Sequence, residues 1–248
     1  MQLTSAIFRY SVFFFLSFCA LVLWGFWKTY YSNPLQQDWP IVHAHGIAMT
    51  LWCGMLATQA FLIRINWRKL HRLFGMASLF LFASNVLFQV LLVSKRIPQI
   101  TGLWQFGELV DAGYLFLGQA LGSTVVFAIF YGLAILYRRT PAVHGGFMIC
   151  TALPLLSPAI DRVVNFYFPS FAAKLPLVAG FTLVPLIAWL IADVILLILS
   201  VWDWKSHRRL RVFPVALGVM LFYQVFTANA HRIKSWQAFS EWFSNLNL

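Results

Sequence analysis

Arg64-Ile65-Asn66-Trp67-Arg68-Lys69-Leu70-His71-Arg72-Leu73-Phe74-Gly75 is the stretch whose reading decides the fold. Apolar segments flank it on both sides, each near the roughly 20 residues that a helix needs to cross a bilayer. Cations packed into a short loop between two such segments mark the cytoplasmic side of a membrane. Arg138-Arg139-Thr140-Pro141-Ala142-Val143-His144-Gly145-Gly146-Phe147-Met148 repeats the plan further along. Two helical hairpins therefore present a histidine on the same membrane face.

Composition agrees. Hydrophobic residues make up 61% of the 248-residue chain and charged residues only 10%, with a mean hydropathy of +0.77. Soluble domains are nearer half apolar and a quarter charged, so lipid is the expected solvent and partner. The net charge of +11 is not a nucleic-acid surface, because most of the cations fall in short loops between spans. Cys19, Cys53 and Cys150 lie inside apolar segments without metal-ligand spacing, which argues against disulfides and zinc knuckles.

The expected fold is an all-α membrane bundle, one domain over 1–248, with spans near 7–28, 40–63, 72–94, 113–137, 146–168, 175–200 and 213–231. Cations orient it. Arg9, Arg64, Arg68, Lys69, Arg72, Arg138, Arg139, Lys205, Arg208, Arg209 and Arg211 outnumber Lys28, Lys95, Arg96, Lys174, Arg232 and Lys234 of the opposite face. That imbalance predicts a cytoplasmic N-terminus and an outer C-terminus. The plan of span, basic loop, histidine and span occurs at 40–94 and again at 113–168, which reads as a hairpin repeat. Gln119 then stands where His45 stands in the first copy.

Histidine binds metals and haem and exchanges protons near neutral pH. His71 and His144 begin spans on the inner face, and His207 lies in the last inner loop. His43, His45 and His231 lie on the outer side. His45 and His71 are separated by most of the bilayer, so any shared ligand falls within a leaflet. His71 with His144, and His45 with His231, have the make-up of bis-histidine sites for b-type haem. Arg72 and Arg139, beside Arg68 and Arg138, are candidate partners for haem propionates. Gly75, Gly145 and Gly146 offer close approach to a flat ring. The same inner residues also suit plain contact with headgroups.

His43-Ala44-His45 places two imidazoles about 200° apart on a helix. With His231, and with Glu108 or Asp111 from the long outer loop, they form a candidate site for a transition metal such as zinc, iron or copper(II). A polar rim at the membrane edge explains them equally. Ser157-Pro158-Ala159-Ile160-Asp161-Arg162 carries an acid and a base inside an apolar span. Such residues are expensive in lipid and commonly functional, which makes Asp161 the candidate catalytic or ion-binding group. Pro154 and Pro158 are expected to kink this span and free carbonyls for a partner. Asp193 is expected to answer the inner basic loops. Asn85, Gln89, Gln119, Gln224, Thr227 and Asn229 add polar groups, most of them expected in the outer half.

His45-Gly46, Trp52, Gln59, His71-Arg72-x-x-Gly75, Arg139-x-Pro141-x-x-His144-x-x-x-Met148, Ser157-Pro158-Ala159 and Arg162 together resemble a family of uncharacterised bacterial inner-membrane proteins, over roughly 40–168. That resemblance implies a bacterial inner-membrane location and no particular activity. A looser likeness is to di-haem cytochromes of the b561 type, from which the chain departs in helix count and in having Gln119 where a fourth ligand is expected. Three readings follow: a redox protein with b-type haem and a quinone or protein electron partner; an ion- or proton-coupled transporter using Asp161, His45 and His231; and an accessory protein without cofactor.

Overall fold

The computed structural model describes residues 3–34, 39–101, 108–178, 181–206 and 211–246. Helix α1 (Leu3–Phe26) continues as a wider π-turn over Trp27–Tyr31, and is followed by α2 (Pro40–Arg64) and α3 (Arg68–Thr101). Next come α4 (Glu108–Leu136), α5 (Pro141–Cys150), α6 (Leu156–Tyr167), the single turn α7 (Pro169–Ala172) and a hairpin of β1 (Leu177–Val178) with β2 (Phe181–Thr182). Helices α8 (Val184–Lys205), α9 (Val212–Asn229) and α10 (Lys234–Ser244) complete the chain, with a 3-10 turn at Ala230–Arg232 between the last two. His207 and the residues 102–107 lie outside the described residues, as do the side chains of Glu108 and Arg96.

Among the described residues, six helices are long and apolar enough to cross a membrane: α1, α2, α3, α4, α8 and α9. This is an all-α, multi-pass membrane bundle. Its surface fits lipid, because Phe80 is 82% exposed and Phe222 76%, a heavy cost in water and none in hydrocarbon. The core is Trp52, Phe130, Phe213, Leu153, Leu196 and Met220, each almost completely buried.

The expected single span over 146–168 is instead the broken pair α5–α6. Pro154 lacks an N–H and Pro158 cannot continue the α ladder. Between the two helices the chain tightens into i→i+3 bonds: Ala152 to Ile149, Leu153 to Cys150, Leu155 to Ala152 and Leu156 to Leu153. These bonds give the carbonyls of Ile149, Cys150, Ala152 and Leu153 a backbone partner each. Together α5 and α6 run from the end holding His71 to the end holding Lys28, whose Nζ donates to the Phe166 carbonyl at 3.0 Å.

The expected span at 175–200 is also corrected. Lys174-Leu175-Pro176 and the short hairpin take up its first part, and Pro185 in the first turn of α8 sets the helix start. The long outer loop is shorter than its sequence implies, since α3 extends to Thr101 and α4 begins at Glu108. Helix α10 is an addition. Trp236, Phe239 and Phe243 face inward at helical spacing and cover Val93 of α3 and Leu117 of α4, while Trp236 Nε1 donates to the Tyr114 carbonyl at 3.1 Å.

Candidate functional site

The two basic loops deliver their histidines to one place. His71 is the fourth residue of α3 and His144 the fourth of α5, and their ring centres are 6.3 Å apart with planes at 87°. His144 Nδ1 lies 2.8 Å from the carbonyl of Ala134 in α4. A carbonyl only accepts, so Nδ1 carries the proton and Nε2 keeps its lone pair. That arrangement of a donor nitrogen on a backbone carbonyl fixes the tautomer of many ligating histidines. His71 Nδ1 is buried without a protein partner. Gln59 of α2 reaches the same spot, its Nε2 donating to the His71 carbonyl at 3.2 Å while its Oε1 is buried and unsatisfied.

Arg68, Arg72, Arg138 and Arg139 are exposed around this pair. Arg68 bonds Asn66, Arg72 the Arg68 carbonyl and Arg138 the Ile135 carbonyl. The glycines do not form the expected cradle. A Cβ on Gly75 would contact Gln59, one on Gly145 would meet Ile7 at 3.2 Å, and one on Gly146 would meet Val212 at 3.1 Å. They are small because helices α2, α1 and α9 pack there.

The histidines expected on the outer side are dispersed. The hydroxyl of Tyr30 is 3.5 Å from His43 Nδ1, with the rings 5.8 Å apart. His45 lies close enough to Arg162 for their charges to interact, and its Nδ1 is buried without a protein partner. His231 occupies a different corner, where the turn Ala230–Arg232 packs on α4, α9 and α10. Its Nε2 accepts from Arg232 Nε at 3.2 Å, and its carbonyl accepts from Gln237 at 2.6 Å. Among the described residues no three His, Cys, Asp or Glu side chains converge as a metal site would require. The expected set of His43, His45 and His231 is therefore not assembled, because α2 packs on α1 and α3 while the His231 turn packs on α4.

Asp161 is half-buried and accepts from Asn165 Nδ2 at 3.1 Å, a bond within its own helix. Arg162 points the other way, donating to the Pro158 carbonyl at 3.0 Å with its guanidinium 4.2 Å from the Phe26 ring centre. Gln119 pairs with Ser157 at 2.8 Å rather than standing in for a ligand. Asp193 does not turn to the inner basic loops. It accepts from Gln224 at 3.0 Å between α8 and α9, because its position halfway along α8 is a full two turns or more from that loop.

A buried polar seam between α2, α3 and α4 is a feature that single residues did not announce. Tyr131 Oη and Ser78 Oγ are 2.6 Å apart, and Ser78 also donates to the Gly75 carbonyl at 2.6 Å. Asn85 Nδ2 donates to the Ala48 carbonyl at 3.2 Å. The readable signal was spacing: His71, Ser78 and Asn85 on one helix, and His45, Trp52 and Gln59 on the other, recur every seven residues and so share a face.

No family model, curated protein or solved structure matches this chain.

Proposed function

We propose that this protein is a redox protein of the bacterial inner membrane that holds a b-type haem between His71 and His144. The carrying observation is their 6.3 Å ring separation. Two imidazoles this close could together hold a haem iron. The donor set also fits: His144 presents Nε2 because Ala134 holds its Nδ1–H, and neutral imidazole is a common axial ligand of haem iron. Bound haem supplies one-electron chemistry, and the chain supplies position and charge. Arg72 and Arg139, exposed and close in the chain to these histidines, would neutralise the haem's propionates.

With His45 and His231 at separate corners, the reading is one haem near the inner face rather than a two-haem wire. Electron exchange then runs along that face, with a lipid-borne quinone or a redox protein as partner. Reduced and oxidised visible spectra, with iron analysis, test it on the purified protein. Wild type is expected to show a Soret band that sharpens on reduction, and His71→Ala and His144→Ala to lose it. A colourless, iron-free wild type refutes the reading.

Proton- or ion-coupled transport is a second reading, favoured by the unsatisfied Nδ1 of His45 beside Arg162 and by the neighbouring Asp161. Uptake into proteoliposomes that disappears in Asp161→Asn supports it, and uptake indifferent to that change counts against it.

A further inference from the structure

Two open grooves flank the last turns of α8 and share Val201 as a wall. Leu197, Ile198, Val201 and Trp202 line the first, of about 430 Å³, with Lys205 at its end. These residues follow one another at helical spacing along one face, and Lys205 is the last residue of α8. Val201, Trp204 and Pro214 line the second, of about 370 Å³, together with Asp203 and with Arg211 from the cap of α9. Leu197, Ile198, Val201 and Trp204 are exposed, on a helix long and apolar enough to cross a membrane. The walls therefore face hydrocarbon, and each groove carries a cation.

Lys205 and Arg211 are themselves exposed. Other cations of the bundle are engaged with the protein. Arg64 lies over the Phe13 ring and Arg162 over Phe26, while Arg68 and Arg72 bond oxygen atoms. Among the described residues, the side chains of Lys205 and Arg211 have no such partner. Arg211 also holds a left-handed backbone, with φ at 57°, which glycine adopts at less cost. Asp203 fixes that turn, its Oδ2 accepting from the Arg211 N–H at 3.3 Å. The carboxylate is turned into the protein, since Asp203 is 3% exposed and its Oδ1 is buried too. The accessible surface of the two grooves is thus apolar along the walls and positive at the end.

We propose that the paired grooves hold the two acyl chains of one anionic phospholipid, with its phosphate on Lys205 and Arg211. Cations at the end of a span attract anionic headgroups, and tryptophans such as Trp202 and Trp204 sit at headgroup level. Eight residues from Leu197 to Lys205 span about 12 Å, most of one leaflet of a hydrocarbon core about 30 Å thick. A zwitterionic lipid brings its own ammonium to these cations, so the site selects by charge. It uses none of the histidines and is independent of the haem and transport readings.

Native mass spectrometry of the full chain in mild detergent tests this, with phosphatidylglycerol and phosphatidylethanolamine of identical acyl chains as probes. Wild type is expected to bind one phosphatidylglycerol about tenfold or more tighter than phosphatidylethanolamine, the ratio that two cations beside a headgroup supply. Lys205→Gln with Arg211→Gln is expected to bring the two lipids level. Val201→Trp, which crowds both grooves without altering charge, is expected to do the same. Lys174→Gln with Lys234→Gln removes equal charge from exposed positions outside the grooves and is expected to keep the wild-type preference. A wild type that binds both lipids alike overturns the proposal without any variant. A preference that survives either groove variant, or disappears equally in the Lys174 and Lys234 control, also overturns it.

Discussion

Gly25 of α1 and the Ala159 carbonyl of α6 approach so closely that a Cβ on Gly25 would stand 2.5 Å from that oxygen. The contact is backbone to backbone, so neither partner can swing aside. It seats α1 against the second half of the broken helix and brings Arg162 over the Phe26 ring.

Gly25→Val is expected to destabilise the bundle by about 1–3 kcal/mol, as overpacking of a close contact does. Gly54→Val, where nothing lies within 4 Å of the added Cβ, is expected to be far milder. Thermal unfolding in mild detergent compares the two. Equal melting temperatures would show that the helices slide apart freely.

Trp52 is fully buried and stacks edge-on against Phe127 and Tyr131, with centres 4.9 and 5.3 Å apart. Trp52→Ala should cost about 3–5 kcal/mol, or fail to yield a monodisperse protein. Trp52→Phe, which keeps most of the contact, is expected to remain folded with a reduced melting temperature.

Ser78 and Tyr131 form a buried interhelical hydrogen bond. Interhelical bonds in membranes are worth about 0.6 kcal/mol on average and up to about 1.7. A double-mutant cycle of Ser78→Ala and Tyr131→Phe is expected to give a coupling energy in that range. Strict additivity would mean the two hydroxyls do not interact. Phe82, stacked on Tyr131 at 4.5 Å, keeps the ring in place in both variants.

Orientation is checked by impermeant maleimide on whole cells, in a background with the three native cysteines replaced. Trp27→Cys, at a position 55% exposed on the outer side, is expected to label at once. Trp67→Cys, at a position 60% exposed in the inner loop, is expected to label only after permeabilisation. The reverse pattern would invert the topology.

The sequence carried the membrane class and the multi-pass plan, and the structure brings the rings of His71 and His144 within 6.3 Å of one another. The first two depend on local features: apolar length and loop cations. It misread the span containing Pro154 and Pro158 and the one beginning at Pro185, since hydropathy measures burial in lipid and not backbone continuity. Helix α10 was readable from Trp236, Phe239 and Phe243, yet too short and too polar to register as a span.

What tertiary structure alone decided is which polar groups meet. His231 and His45 are expected in one leaflet and have the same chemistry, but helix packing sends one to α4 and brings the other near Arg162. Gln119 looked like a missing ligand until Ser157 was found opposite it, and Asp193 found Gln224. Lipid drives apolar helices into the bilayer without choosing their neighbours, so composition fixes the crossings. Neighbours are chosen by close contacts such as Gly25 on Ala159 and by hydrogen bonds such as Asn85 on Ala48, whose partners lie dozens of residues away in the chain.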